Sequence, residues 1–274
     1  MGSRPVYCGL RGRTDANPCV FCNKSIKFGA LLDFAAQKGY GQIATGHYAR
    51  LERDNGRTLL RRAADAGKDQ TYMLWSLSQE VLSRAMFPLG ELSKADAREI
   101  AASLQFPMAE RKDSQDICFI PDGDYAAFIS RITGKTPESG DFIDLEGRVL
   151  GRHKGQLCYT LGQRKGLGIA LGKPAFVVSK SAVHNTVTLG ENSDLFSTEL
   201  TAGDINLIPF DRIERPMRLL AKARYRQEAA PAWVEQTDDR TLHVVFDQPQ
   251  RAISPGQSLV LYDGGYVVGG GIIQ

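Results

Sequence analysis

The first half of the chain has apolar residues at helical spacing. One helix face carries four of them at positions i, i+3, i+4 and i+7, namely Phe28, Leu31, Leu32 and Ala35. This spacing predicts an amphipathic helix, and Gly39 predicts where that helix ends. The segment 42–45 is short and apolar, which predicts a buried strand after the helix.

Two more helices are predicted before residue 133. Ser93 is suited to be an N-cap, with Asp96 at the reciprocal position of a capping box. The residues that follow give an apolar face, formed by Ala97, Ile100, Ala101 and Leu104. A later face ends before Gly134 and is formed by Tyr125, Phe128, Ile129 and Ile132. Helices that alternate with short strands predict an α/β domain.

The pattern changes to short strands with turn signals from Gly140 onward. A hairpin is predicted around Glu146–Gly147, between strands 142–145 and 149–150. Residues 175–178 and 186–189 are predicted to form another strand pair. Five further strands follow, at 219–225, 232–236, 242–246, 258–262 and 266–273. Strands at this spacing predict a small barrel or sandwich.

The composition is that of a soluble globular protein with more than one domain. The chain has 274 residues, which is large for one core, and 42% of them are hydrophobic. No apolar run approaches the roughly 20 residues that span a bilayer, and no signal peptide opens the chain. Five cysteines without a regular framework favour the reducing cytoplasm. A net charge of +3 permits a nucleic-acid partner without requiring one.

Two cysteines are candidates for sulfur chemistry. Cys22 is expected at the start of the first helix, where the helix N-terminus would lower the pKa of its thiol, and Cys118 lies in a later turn. Cys19 and Cys22 also form a C-x-x-C pair, which is typical of a zinc half-site or a redox pair. Zinc needs two further soft ligands, and the chain has no second C-x-x-C. Inert burial fits Cys158.

One predicted strand has a cationic side. Its basic residues alternate with apolar ones at period two, and they are Arg218, Lys222, Arg224 and Arg226. Such a face suits a barrel wall that contacts phosphate, but a solvated face explains the same pattern. The segment 68–70 is, taken by itself, a polar loop. These residues alone leave both interpretations open.

Seven motifs occur in one order along the chain. They are Asn17–Phe28, Ala44–Arg50, Gly67–Tyr72, Arg111–Ser114 with Ile117–Ile120, Thr160–Gly168, Ala223–Gln227 and Pro255–Gln257. The first reads NPCVFCNKSIKF, the second ATGHYAR and the fifth TLGQRKGLG. Together they closely resemble the tRNA-specific 2-thiouridylases, and the resemblance covers nearly the whole chain.

The resemblance implies an ATP-dependent transfer of sulfur to tRNA. Members of that family use ATP, with Mg²⁺, to adenylate O2 of the wobble uridine, and a protein persulfide then delivers sulfur. By position, Cys118 resembles the persulfide carrier. Cys22 resembles the nucleophile, which releases sulfide by forming a Cys22–Cys118 disulfide or assists the transfer. The implied partners are a tRNA with a wobble uridine and a sulfur donor, either a cysteine desulfurase or a sulfur-relay protein. No permanent cofactor, bound metal or membrane is expected.

The resemblance also implies which residues bind. Asn17, Pro18 and Cys19 are similar to the segment around the flipped target base, and extruding a base from a single-stranded loop costs little. Family members often have aspartate where Cys19 stands. Gly46 is similar to a glycine that contacts ATP. The residues that resemble tRNA contacts are His47, Lys68, Asp69, Gln70, Arg224, Tyr225 and Gln257.

The implied fold class is α/β plus β. It has a partial Rossmann-like domain (adenine nucleotide alpha hydrolase-like) at residues 1–135, a small central β-rich domain at 136–198 that helps to hold tRNA, and a C-terminal β-barrel at 199–274. The Ser-Gly-Gly-x-Asp-Ser loop that cradles ATP phosphates in the family does not occur in this sequence. We therefore expect a truncated nucleotide-binding sheet, and the alternative function is a tRNA-binding remnant that cannot adenylate. The expected location is the cytoplasm.

Overall fold

The computed structural model describes residues 17–107, 130–131 and 137–274. Its first part is an α/β unit. The helices are α1 (Pro18–Cys22), α2 (Leu31–Gln37), α3 (Gln79–Arg84) and α4 (Lys94–Ser103), and a π-helical segment at Asn23–Ala30 joins α1 to α2. Strands β1 (Ile43–Ala44) and β4 (Ala85–Met86) pair in parallel, whereas β2 (Ala49–Asp54) and β3 (Arg57–Arg62) form an antiparallel hairpin.

The first helical region begins before its apolar face. Asn17 Oδ1 accepts a hydrogen bond from the N–H of Val20 at 3.4 Å, and Pro18 takes the first helical position. The predicted end at Gly39 is confirmed, since this residue has a φ of +83°. Phe28, Leu32 and Ala35 are buried as predicted, but Leu31 is 47% exposed. The prediction for Leu31 is wrong because the wider π-helical turns before it change the phase of the helix.

Helix α4 starts as predicted but does not bury its apolar face. Ser93 Oγ accepts from the N–H of Asp96 at 3.1 Å, and the Asp96 carboxylate accepts from the N–H of Ser93 at 3.0 Å. This confirms the capping box. Ile100 and Leu104 are largely exposed, because no described element covers them. The helix predicted to end at Gly134 lies outside the described residues, apart from 130–131.

The C-terminal part is a closed antiparallel barrel of six strands. These are β9 (Phe196–Leu207), β10 (Met217–Lys222), β11 (Ala230–Asp238), β12 (Thr241–Arg251), β13 (Ser258–Asp263) and β14 (Tyr266–Ile273). The order β13-β10-β11-β12-β9-β14 closes on itself because β14 pairs with β13. The predicted barrel is confirmed. Strand β9 was not predicted, and the hairpin β2–β3 extends this sheet through the pair Tyr266–Arg61.

A separate four-stranded sheet lies between these two parts in the chain. It contains β5 (Gly140–Ile143), β6 (Val149–His153), β7 (Phe176–Ser181) and β8 (Thr186–Gly190), in the order β6-β5-β8-β7. Both predicted strand pairs are present, and β5 and β8 run parallel to each other. The glycine-rich segment 162–172 enters β7 from the loop after β6.

The buried side chains show how the parts are joined. One cluster contains Leu60, Tyr72 and Trp75 of the α/β unit together with Val260 and Tyr262 of the barrel, so these two parts share a core. A second cluster fills the barrel. The central sheet has its own cluster around Phe142. In the described parts of the chain, no helix is long and apolar enough to cross a membrane.

Candidate functional site

Helix α1 carries two cysteines at different helical positions. Because Pro18 is the first helical residue, Cys19 is the second and Cys22 the fifth. The effect of the helix dipole on a thiol falls off within the first turn, so it favours Cys19 rather than Cys22. The prediction that Cys22 stands at the helix start is therefore wrong. Both side chains are half-buried, and no disulfide joins the cysteines that the structure describes. Cys118 lies outside the described residues.

The buried side-chain amide of Asn23 connects this helix to the turn at residues 68–73. Asn23 follows Cys22 directly and is only 3% exposed, and its Nδ2 donates to the carbonyl oxygen of Met73 at 3.0 Å. Met73 ends the 3-10 turn Thr71–Met73, which also carries Tyr72. Asn23 therefore holds the turn at residues 68–73 against α1. This helix carries Cys19 and Cys22 and is called the cysteine helix below.

Asp69 and Gln70 use their side chains to shape that turn. The Asp69 carboxylate accepts from the N–H of Ala63 at 3.0 Å and from the hydroxyl of Thr71 at 2.7 Å. Gln70 Oε1 accepts from the N–H of Tyr48 at 2.9 Å. Lys68 lies beside them and is half-buried. These contacts give Asp69 and Gln70 a structural role, whatever they contribute to RNA.

An aromatic and cationic cluster lies where this turn meets the barrel. The rings of Tyr72 and Tyr225 have centroids 5.6 Å apart, and Lys222 Nζ lies 5.7 Å from the first and 5.6 Å from the second. The Arg62 guanidinium stacks 4.1 Å from the ring centroid of Tyr262. A cation is attracted to the face of an aromatic ring, and the opposite face of that ring stays available for another planar group, such as a base. Tyr225 is 41% exposed, so it offers such a face.

The pKa values in this cluster show which groups are close. Burial raises the pKa of the Tyr225 phenol, and the negative charges of Asp69 and of a Cys19 thiolate raise it further. Burial lowers the pKa of the Lys222 ammonium, while Asp69 opposes that change. Cys19, Asp69, Lys222 and Tyr225 therefore share one electrostatic environment.

The predicted cationic strand differs from the observed one. Strand β10 ends at Lys222, so Arg224 and Tyr225 lie in the turn that follows it. Arg218 makes an ion pair with Asp247, which neutralises it on the barrel surface. Tyr225 is exposed, because the alternation of buried and exposed side chains stops where the strand ends. The prediction of a continuous cationic face is wrong.

Arg224 and Gln257 stand at the contact between the barrel and the central sheet. The Arg224 guanidinium donates to the carbonyl oxygen of Leu161 at 3.1 Å and to the hydroxyl of Ser254. The N–H of Gln257 donates to the carbonyl oxygen of Ser254 at 3.1 Å. Both residues are half-buried. Arg224 directly precedes Tyr225, and Gln257 is connected to Arg224 through Ser254, so both lie at the edge of the cluster.

His47 is buried beside an exposed glycine. Its side chain is 6% exposed and packs against Phe28 and Phe87, with centroids 5.9 Å away in each case. Nδ1 lies 2.8 Å from Thr45 Oγ1, and Nε2 lies 3.5 Å from Lys27 Nζ. Because the ammonium donates to Nε2, the ring proton belongs on Nδ1. Burial, followed by the Lys27 charge, lowers the pKa of His47 to about 4. Little of His47 is left to contact RNA directly, whereas Gly46 is exposed.

The structure thus brings most of the predicted residues together. Asn17, Pro18 and Cys19 form the helix start, where Cys19 lies close to Tyr225 of the cluster, and Lys68–Gln70 precede Tyr72 of the cluster in the same turn. Sequence reasoning missed three members of the cluster, Arg62, Tyr72 and Tyr262. Tyr72 ends a quoted motif, which was its only signal. Among the described residues, no three His, Cys, Asp or Glu side chains could hold a metal ion together.

Three family models match consecutive parts of the chain. A tRNA methyl transferase HUP domain matches residues 8–122, a tRNA methyl transferase PRC-barrel domain matches 126–191, and an aminomethyltransferase beta-barrel domain matches 197–273. The tRNA-specific 2-thiouridylase MnmA 2 of Clostridium botulinum (strain Langeland) is 49% identical over 265 residues, which are 97% of this chain and 75% of that protein. The chain belongs to the tRNA-specific 2-thiouridylase family.

Other relatives give the same result. The tRNA-specific 2-thiouridylases MnmA of Clostridioides difficile (strain 630) and Acetivibrio thermocellus are each 48% identical over 267 residues, covering 97% of this chain and 74% of theirs. Membership of this family confirms the resemblance drawn from the seven motifs. It also confirms the fold class, with a Rossmann-like HUP domain, a central PRC-barrel domain and a C-terminal barrel. The exact domain boundaries stay predictions.

Proposed function

We propose that this protein is a tRNA-uridine 2-sulfurtransferase that thiolates the wobble uridine at C2. The observation that carries the proposal is that the cysteine helix is held against the turn that bears Tyr72, with Cys19 close enough to Tyr225 for its charge to raise the pKa of the phenol. A thiol-bearing helix end beside an exposed aromatic ring and cations is suited to an extruded base with its phosphates. Family membership supports tRNA as the substrate.

The proposed reaction has two stages. Uridine O2 attacks the α-phosphorus of ATP, which releases pyrophosphate and makes O2 a good leaving group. The terminal sulfur of a Cys118 persulfide then attacks C2, and AMP departs with O2. The Cys22 thiolate attacks the inner sulfur, which breaks the persulfide S–S bond and leaves 2-thiouridine and a Cys22–Cys118 disulfide. A disulfide needs Cα atoms within about 7 Å, so the two segments must approach each other during turnover.

The other residues would hold the substrates. Asn17, Pro18 and Cys19 surround the target base, and the backbone of Gly46 lies close to ATP, since glycine permits a close approach. Lys68, Arg224, Tyr225 and Gln257 contact tRNA from the cluster and its edge. Asp69, Gln70 and His47 support those contacts by fixing the turn at residues 68–73 and the segment after β1. A cysteine desulfurase or sulfur-relay protein loads the persulfide, and a thiol reductant restores the cysteines.

A thiolation assay tests the proposal. The protein is incubated with unmodified tRNA, Mg-ATP and a persulfide donor, and 2-thiouridine is measured by mass spectrometry. We expect Cys22→Ser and Cys118→Ser each to lower product formation by at least about two orders of magnitude, because a hydroxyl cannot carry or displace sulfur. The affinity for tRNA should change by less than about twofold, since neither thiol is a phosphate contact.

Cys158→Ser is the matched control. Cys158 lies in the central domain, where its thiol contacts the Lys154 carbonyl oxygen at 3.9 Å, so thiolation should be unchanged. A large loss of tRNA binding in Cys118→Ser would mean that this cysteine is structural. Retained tRNA binding without any 2-thiouridine from the unaltered protein would contradict the sulfurtransferase and support a protein that only binds tRNA.

A further inference from the structure

Two exposed cations stand on the glycine-rich segment of the central domain. Arg164 and Lys165 both lie on the surface. Two other exposed cations of this domain are neutralised, Arg148 by Asp144 at 2.6 Å and Arg152 by Asp141 at 2.9 Å. Among the described residues, no carboxylate lies within ion-pair distance of Arg164 or Lys165. This pair therefore carries unbalanced positive charge.

The same segment borders an open cavity of about 490 Å³. The charged side chains that line it are Arg164 and Lys173, and both are cationic. Lys173 also contacts Glu191 at 2.9 Å. Leu167 is buried in the core of the central domain, so the segment is anchored while its charged residues face outward. Arg164 is therefore the uncompensated charge of this cavity, and it stands on a fixed support.

Two arginines of the barrel, Arg224 and Arg251, donate hydrogen bonds to the start of this segment. These hydrogen bonds are called the clasp below. Arg251 Nη2 donates to the carbonyl oxygen of Gly162 at 3.4 Å, its Nε donates to Asn192 Oδ1 at 3.0 Å, and its guanidinium lies 5.4 Å from the Phe176 ring centroid. Arg224 donates to the carbonyl oxygen of Leu161. Gly162 has a φ of +84°, and a Cβ there would lie 3.1 Å from Arg251 Nη1. The clasp therefore needs glycine at this position.

The clasp connects Arg164 to the candidate site. Arg224 is followed directly by Tyr225, and the residue it holds, Leu161, precedes Arg164 by three positions. Three residues span at most about 11 Å, so Arg164 must lie close to the clasp. A single nucleic-acid strand on the Tyr225 surface can therefore continue toward the glycine-rich segment.

We propose that Arg164 and Lys165 form a second, sequence-independent contact for the phosphates of the RNA substrate, and that Arg251 is the positioning residue that fixes this contact relative to Tyr225. The inference rests on the proposed function in taking tRNA as the ligand. Guanidinium and ammonium groups on an open surface recognise phosphate by charge and, for arginine, by two parallel hydrogen bonds. A contact to phosphate carries no information about the base, so this contact adds affinity and orientation.

The test measures tRNA binding by fluorescence anisotropy between about 50 and 200 mM salt, the range over which phosphate contacts are most visible. Arg164→Ala/Lys165→Ala should weaken binding about tenfold at the low end of this range. The slope of log affinity against log salt should fall by about 1.4, since each neutralised phosphate of a single strand contributes about 0.7. The control, Arg148→Ala/Arg152→Ala, removes the same charge from the same domain and should leave the slope unchanged.

Arg251 is tested by kinetics. Arg251→Ala should raise KM for tRNA several-fold with kcat unchanged, because the cations remain but are no longer held in place, whereas Arg251→Lys should recover part of the loss through one hydrogen bond. An unchanged salt slope in Arg164→Ala/Lys165→Ala, or an equal loss in the control, overturns the second contact. The proposed function is judged separately, since formation of 2-thiouridine by the unaltered protein supports it in either case.

Discussion

At the scale of single residues, His47 is the group whose environment has the most direct consequence. Its pKa is about 4 in the folded protein and near 6.5 when unfolded, because burial disfavours the imidazolium. At mildly acidic pH the unfolded chain therefore binds a proton at His47, whereas the folded protein does not. The contribution of His47 to the free energy of unfolding is fully present above about pH 6.5 and is lost as the pH falls toward 4. We expect the free energy of unfolding to drop by about 2 kcal/mol between pH 7 and pH 5.

His47→Gln should remove that part of the pH dependence, since glutamine stays neutral. The measurement is urea unfolding at the two pH values, followed by circular dichroism. His184→Gln is the control, because His184 is exposed and its removal should leave the drop intact. If His47→Gln shows the same drop as the unaltered protein, the acid sensitivity arises elsewhere. Sequence reasoning could place His47 at a strand end but not bury it, because its burial depends on Phe28 and Phe87, which are distant in the chain.

At the scale of elements, the middle one of three consecutive glycines in β14 lies where the α/β unit docks on the barrel. A Cβ on Gly270 would overlap the carbonyl oxygen of Leu259 and come within 3.0 Å of the Trp75 ring. Nearby, Asn206 donates to the carbonyl oxygens of Trp75 and Leu77 at 2.7 and 3.1 Å. Glycine is a poor strand former, so its presence here reflects the close approach of both the Leu259 carbonyl oxygen and the Trp75 ring to this strand.

Gly270→Ala should therefore destabilise the protein by about 2–3 kcal/mol, the usual effect of inserting atoms into a packed site. Gly265→Ala lies in the turn of the same hairpin, where a Cβ would meet nothing within 4 Å, and should change stability by less than about 0.5 kcal/mol. Urea denaturation of both variants compares them directly. Equal stabilities would show that strand β13 and the Trp75 segment can both shift without loss, and that glycine is not required at position 270.

The elements also show which structure can be predicted from local pattern. The strands of the central sheet and β10–β14 were predictable because alternation and turn residues are local signals. The hairpin β2–β3 had a signal that was overlooked, since Asn55–Gly56 is a typical two-residue turn and both residues have positive φ. Strand β9 had little alternation, and its partners β12 and β14 follow it by 34 residues or more. The candidate site depended even more on distant contacts, because Cys19 and Tyr225 meet only after folding.

At the scale of the whole molecule, the distribution of cores predicts two units of stability. The α/β unit and the barrel share the cluster that contains Trp75 and Val260, whereas the central domain has a separate cluster around Phe142. The described links between the central domain and the barrel are mainly the hydrogen bonds of Arg224 and Arg251. So few hydrogen bonds contribute at most about a few kcal/mol to the interaction between the two units, so they couple the unfolding of these units only weakly.

The two tryptophans make this arrangement measurable. Trp75 and Trp233 are the only tryptophans in the chain, and neither lies in the central domain. Phe142→Leu removes edge contacts with Tyr159, whose ring centroid is 5.1 Å away, and should destabilise the central domain by about 1.5 kcal/mol. Calorimetry should then show a transition lowered by roughly 5–10 °C, while the midpoint from tryptophan fluorescence stays where it was. Val260→Ala, in the core shared by the α/β unit and the barrel, should lower the midpoint from tryptophan fluorescence and leave the transition of the central domain unchanged. A fluorescence midpoint that follows Phe142→Leu would mean that the clasp joins all three parts into one cooperative unit, in which case loosening Arg251 should also lower the midpoint.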